Sequence, residues 1–563
     1  MKRTKKVTLV LGLMALALFA NATVTRAALE DTIPAGAVAV ARLHEPAAAL
    51  DTARGSKLYT QITQGDLMPE LADAIRKIQA GARAIERRHD VNVDRIVDDM
   101  FAGDVAVAIL GKNTGVLLVE GRSPSALERA AGEVLRIQQE RGEVTGVETR
   151  TFMETTIHIT RMADGQPDRA YALLGKVLVG AKTGDMQALK RVIKVYRGEG
   201  KSLADSARYR KTRSLMDGNA LATAYVDMPR LLRLLPKDSD LKSDPGGRLL
   251  RQWLETMRSA ALSVTAKDSL RAHLAVQYKG GSLPPAAQAL LPEEGAQLEV
   301  LESLPPSSAA AMARSTNLGA LWRQSIETIE RLDPHGAAKL REGMDAVVGS
   351  LGGIRTPEQL FDELGNEIAW AVLPPNDKNP RPAVALIVRL NETRHIPLAL
   401  ETLAGTAVTA MRKQGRTDVK LTYETYRDVS LTTVRGTEGT WEKISPTLCT
   451  VGKNLTVTTS VDAARRVIDS ARSEGPELPA MEGTLFAAGG LDSDRLMQMI
   501  RPYRSFLVEH SVRNSGKSRA KARRDLRRLE KILSLVDKVA FTASYRDGRT
   551  DRVLEILPAE KVR

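Results

Sequence analysis

Apolar positions along the chain change period from one segment to the next. Leu71, Ile75, Ile78, Ala82 and Ile85 recur at helical spacing and predict the apolar stripe of an amphipathic helix. Val105, Val107 and Ile109 alternate with alanines, which predicts a strand buried on both faces. Ser123-Pro124 suits an N-cap followed by Pro in the first helical turn, and Gly142 suits the end of that helix. Short turns such as 111–115 join successive strand patterns and favour antiparallel pairing. The fold class expected is α+β, a mainly antiparallel sheet with helices packed on it.

The pattern then repeats. Asp99–Ile109 matches Asp362–Val372, Val116–Val119 matches Ala385–Val388, and Phe152–Ile157 matches Tyr426–Leu431. Gly175-Lys176 and Gly452-Lys453 each begin a strand that leads into a helix ending Lys190-Arg-Val-Ile193 or Arg465-Arg-Val-Ile468. Asp227–Leu231 matches Asp492–Leu496, and the two Asp residues suit helix N-caps. Each unit closes on a strand pair, around Lys267-Asp268 or Arg546-Asp547-Gly548. The openings align Ala37–Arg42 with Ala309–Arg314. Matches in one order at offsets of 263 to 279 predict two tandem homologous units. The expected division is 28–281 for the first unit, 282–306 for a linker holding Pro284-Pro285 and Pro305-Pro306, and 307–563 for the second. The second unit has no match for Leu203–Leu215.

Residues 1–27 read as a cleaved signal peptide. Lys2, Arg3, Lys5 and Lys6 precede an apolar run from Val7 to Ala20, and small residues at 20–22 and 25–27 suit cleavage. Fourteen residues span about 21 Å as a helix, short of a hydrocarbon core of about 30 Å. The expected location is therefore extracytoplasmic, periplasmic or secreted, with no transmembrane segment in the mature chain. Cleavage after Ala27 removes five cations, so the formal charge falls from +14 to +9. The single Cys449 has no intrachain partner and sits in a strand pattern, as a small buried apolar residue.

The opening strand ending Ala-x-Ala-Arg, the Asp/Glu-x-Leu-Gly-x-Glu-Ile-Ala strand and the Gly-Lys strand before a Val-Ile helix together resemble a domain-of-unknown-function family of secreted bacterial proteins. His89-Asp90 departs from it, where a Gly-containing turn would be usual. The resemblance implies an extracytoplasmic protein and supplies no catalytic residues.

The chemical motifs are near misses. Gly175–Thr183 resembles a phosphate loop but has the wrong spacing and a strand-like interior, so its N–H groups cannot converge on phosphate. Ser518-Arg-Ala-Lys521 and Lys182-Thr-Gly184 echo a serine β-lactamase in reversed order. The seven histidines stand apart, without metal-ligand spacing, and His89-Asp90 reads as a polar helix end. Asp98-Asp99 and Glu363 with Glu367 are carboxylate pairs of the kind common on solvated faces. Aromatic content of 4% disfavours a glycosidase. No catalytic residue, metal or cofactor is expected.

One segment stands out in charge. Arg513, Lys517, Arg519, Lys521, Arg523, Arg524, Arg527, Arg528 and Lys531 face only Asp525 and Glu530, along a basic amphipathic helix expected near 516–538. Its expected docking seam is Leu526, Leu529, Leu533 and Val536. The functional expectation is a non-enzymatic envelope binding or scaffold module. The alternatives are anion binding at a lipid or polymer surface through this helix, and an unrecognised hydrolase. The partner is open, with anionic envelope lipid or polymer as the candidate; no nucleic acid is expected.

Overall fold

The computed structural model describes residues 29–48, 69–163, 165–235, 245–266, 269–281, 283, 288, 298–349, 354–377, 381–415, 418–437, 444–471 and 483–559. The signal-like segment, most of 282–306 and the Lys267-Asp268 turn lie outside them. So does 472–482, where the second unit's lack of a match for Leu203–Leu215 would be read. The chain divides into two units between Lys279 and Gly280.

The first unit runs β1 (Ala39–Leu43), α1 (Pro69–His89), α2 (Val93–Met100), β2 (Val105–Gly111), β3 (Thr114–Glu120), α3 (Pro124–Glu140), β4 (Val144–Phe152), β5 (Thr155–Met162), β6 (Arg169–Leu174), β7 (Val177–Lys182), α4 (Met186–Tyr196), α5 (Ala207–Arg213), β8 (Ala222–Asp227), α6 (Met228–Leu234), α7 (Pro245–Thr256), β9 (Met257–Ala266) and β10 (Leu270–Tyr278). Its sheet order is β10-β9-β8-β1-β2-β3-β7-β6-β5-β4, antiparallel at every step.

The second unit runs β11 (Ala310–Ser315), α8 (Leu318–Leu332), α9 (Pro334–Gly349), α10 (Pro357–Glu363), β12 (Leu364–Leu373), β13 (Ala383–Leu390), α11 (His395–Lys413), β14 (Lys420–Tyr426), β15 (Val429–Arg435), β16 (Thr447–Val451), β17 (Asn454–Thr458), α12 (Val461–Ser470), β18 (Thr484–Asp492), α13 (Ser493–Ile500), α14 (Arg504–Ser515), α15 (Arg519–Leu533), β19 (Val536–Arg546) and β20 (Arg549–Pro558). Its order is β20-β19-β18-β11-β12-β13-β17-β16-β15-β14, again antiparallel throughout. The class is α+β, and the two strand orders correspond strand for strand.

Local chemistry explains many of the element ends. Ser123 accepts from the Ala126 N–H at 3.1 Å, with Pro124 in the first turn of α3. Asp227 and Asp492 cap α6 and α13, accepting from Arg230 N–H at 3.1 Å and Arg495 N–H at 3.0 Å. The same two arginines reach back to carbonyls ahead of the first strand: Arg230 to Ala35 and Ala37, Arg495 to Pro306 and Ser308. The β4–β5 and β14–β15 hairpins both turn through two residues of positive φ, Met153-Glu154 and Arg427-Asp428.

In the first unit the core lies on one face of the sheet, under α4, whose Leu189, Val192 and Ile193 are fully buried with Leu118, Ile157 and Val179. In the second, Val467 of α12 packs with Ala371 and Ile387.

Three expectations are corrected. β2 is not buried on both faces: Ala106 and Ala108 face the core, whereas Val107 is 49% and Ile109 42% exposed. Alternation sets one face in and the other out, and apolar content alone does not say which. The openings also align one residue differently. Ala39 pairs with Ile109 and Ala310 with Val372, so buried Arg42 corresponds to buried Ala313, not to exposed Arg314. A slip of one residue exchanges the faces of a strand. Finally, α1 forms, but Ile78 is 60% exposed, so its stripe is not a core face there; the side chains of Leu71 and Ile75 are outside the described residues.

Candidate functional site

The nine cations singled out above fall on a helical hairpin. Arg513 lies in the last turn of α14, Gly516 turns the chain in the left-handed region, and Ser518 caps α15 by accepting from the Lys521 N–H at 3.3 Å. That cap accounts for the serine of the β-lactamase-like motif. The basic helix is 519–533, shorter than 516–538, because Val536 already begins β19. Its docking face is also different from the expected seam. Ala522, Glu530 and Leu533 are buried, while Leu529 is 43% and Ile532 42% exposed.

Part of the charge is neutralised within the hairpin. Lys517 pairs with Asp525 at 2.8 Å, Arg519 with Glu509, and Arg504 with the buried Glu530. Arg528 and Lys531 have interactions of their own. Arg523, Arg524 and Arg527 are exposed and make no ion pair among the described residues, although the cations that lower the neighbouring Asp525 carboxyl, Lys517 first, include Arg524. A groove of about 340 Å³ between α14 and α15 is lined by Arg504, Val508, Arg523, Leu526, Arg527 and Glu530. Phe506 on α14 is 63% exposed. The hairpin therefore presents guanidinium groups that make no ion pair, while exposed Leu529 and Ile532 lie on the other flank of α15.

The other motifs resolve into structure. The phosphate-loop-like stretch is strand β7, its backbone engaged with β3 and β6. Burial raises the Cys449 thiol to about 12, so the thiolate is suppressed. His89 ends α1 and pairs with Glu140. Asp99 is buried and faces Arg129 at 3.0 Å, with Arg95 and Arg122 at 3.9 Å. Glu363 faces His395 at 3.0 Å, while Glu367 accepts from the Val300 N–H at 2.8 Å and is raised by burial.

The strongest electrostatic feature lies in the first unit. Arg42 on β1 binds Glu30 at 2.5 Å through one nitrogen and Asp104 at 2.6 Å through Nε. Tyr209 on α5 donates to Glu30 at 3.0 Å, and His44 Nδ1 lies 3.2 Å from Asp104. An open pocket of about 390 Å³ adjoins them, lined also by Arg210, Arg213 and Asp217. Burial pushes Asp104 up, but His44 and Arg42 outweigh it and bring the carboxyl to about 2. Glu30 falls below its ordinary range because Arg42 and Arg213 outweigh burial, and burial drives Tyr209 upward. Arg42 is raised, the two carboxylates outweighing its own desolvation. Each of these four is held more firmly in its ordinary charge state. A general acid or base needs the opposite, a pKa near the working pH. This cluster ties together segments distant in sequence, and no spacing rule could have found it.

Among the described residues no group of three or more His, Cys, Asp or Glu is placed to hold a metal ion, and no helix is long and apolar enough to cross a membrane. A profile for a family described as a protein of unknown function (DUF3352) matches residues 102–422, more than half of the chain. The chain belongs to that family. The match enters just before β2, crosses the division between the units and ends within β14, so α14 and α15 lie beyond it. No curated protein and no solved structure matches the chain.

Proposed function

We propose that this family member is a non-enzymatic, extracytoplasmic binding module that adsorbs to anionic lipid surfaces through the α14–α15 hairpin. The observation that carries the proposal is the cluster of Arg523, Arg524 and Arg527, exposed and making no ion pair among the described residues. Cations near an anionic membrane contribute about 1 kcal/mol each. The extracytoplasmic location is supported by the basic-then-apolar pattern of residues 1–20. The non-enzymatic reading is supported by the cluster around Arg42, where Glu30, Arg42, Asp104 and Tyr209 are all driven away from neutral titration.

Co-sedimentation with phosphatidylglycerol-containing vesicles tests the proposal. The full chain should pellet with the vesicles at low salt, and a variant carrying Gln at 523, 524 and 527 should stay in solution with its fold intact. Equal pelleting of both proteins would reduce the hairpin to a solvated face.

A further inference from the structure

Beneath α3, on the face of the first unit's sheet opposite α4, lies an open groove of about 540 Å³, within the range of about 300–1,000 Å³ typical of small-molecule sites. Its floor is a cross-strand row. Val107 on β2 opposes Leu117 on β3, Leu117 opposes Gly180 on β7, and Gly180 opposes Tyr171 on β6. Its roof is the apolar side of α3, including Ala131, Val134 and Leu135. Val107 and Leu117 are 49% and 42% exposed.

One part of the groove is charged. Arg169 and Lys182 both line it, are exposed, and stand directly opposite one another on β6 and β7. Like charges in directly opposed positions destabilise a strand pair. Neither has an acidic partner among the described residues, since the neighbouring Asp168 faces Arg161 at 3.4 Å. An anion seated between them would remove that repulsion.

The second unit shows which of these features the fold itself does not require. Its matching row is Trp370, Leu386, Val457 and Leu448, so a Val side chain occupies the place of Gly180. Counted from the Gly175-Lys176 and Gly452-Lys453 turns, Pro446 and Thr459 occupy the places of Arg169 and Lys182. The glycine gap and the paired cations belong to the first unit alone, whereas the bare row recurs, with Trp370 39% and Leu386 42% exposed. Gly180 does not have a left-handed φ, and a Cβ built there would meet no atom closer than 4.0 Å. The missing side chain thus leaves space; it does not relieve backbone strain.

We infer that this groove binds a single-chain anionic amphiphile, its apolar chain along the Val107–Leu117–Gly180 row and its head group between Arg169 and Lys182. The inference is independent of α15, and calorimetric titration of the full chain tests it. The probes are dodecanoate and dodecyltrimethylammonium, both kept below micelle-forming concentrations and without bilayers present. Dodecanoate should bind once per chain and at least tenfold more tightly than the cation. A variant with Arg169→Gln and Lys182→Gln should erase that preference. Gly180→Phe should abolish dodecanoate binding while the protein still melts cooperatively; if that variant fails to fold, the double Gln variant carries the test. The variant with Gln at 523, 524 and 527 should bind dodecanoate as the wild type does. Equal binding of the two head groups, binding that survives a folded Gly180→Phe, or binding lost with the α15 substitutions would overturn the assignment.

Discussion

Arg42 commits its guanidinium to Glu30 and Asp104, and all three side chains are almost fully withdrawn from solvent. Removing one partner of such a group leaves uncompensated buried charge, at a cost of about 3–5 kcal/mol. Arg42→Gln should therefore lower the stability of the first unit by that amount, read from its urea midpoint. The linked pH dependence has a definite sign. Asp104 titrates near 2 in the folded protein and near about 3.9 when unfolded, so its contribution is complete above the unfolded value and disappears as pH falls toward 2. The loss amounts to about 3 kcal/mol, and Asp104→Asn should flatten that part of the acid profile. An unchanged acid profile in the variant would contradict the assigned ionisation. None of this was legible in the sequence, because Arg42 and Asp104 stand 62 residues apart and Tyr209 farther still.

Helix starts and tight turns were the most legible elements, since their chemistry is local. Ser123, Asp227 and Asp492 all cap as their sequence context predicts. Asp227→Ala or Asp492→Ala should each cost about 1–2 kcal/mol, because the cap is lost and the arginine that reaches back to the opening carbonyls loses its carboxylate neighbour. A loss below about 0.3 kcal/mol in urea titrations of both variants would show that the caps are dispensable. Facing was much less legible. On α15 the 526/529/533/536 seam and the observed 522/530/533 face differ by part of a turn, and packing against α13, α14 and β19 selects between them. Leu533→Ala should cost about 2–5 kcal/mol, whereas Leu529→Gln should change stability by less than about 0.5 kcal/mol. The reverse order would restore the sequence-based seam. On β2 the inner residues are alanines and the outer ones valine and isoleucine, contrary to any reading based on size.

At the scale of the whole chain, the two units carry the same strand order, the same Asp–Arg staple ahead of the first strand and the same paired hairpin turns. The units differ in chemistry. The first holds the buried Arg42 cluster and the open groove beneath α3; the second holds the cationic hairpin. The matched motifs fall on corresponding strands of the two orders, while the one-residue difference in the opening strand needed the pairing register to detect it. Surface binding through α15 is tested most directly by vesicle affinity as a function of salt and lipid charge. Affinity of the full chain for phosphatidylglycerol vesicles should fall steeply as ionic strength rises, with little binding to purely zwitterionic vesicles, and Gln at 523, 524 and 527 should flatten the salt dependence. Salt-independent binding, or equal affinity for zwitterionic and anionic vesicles, would contradict it.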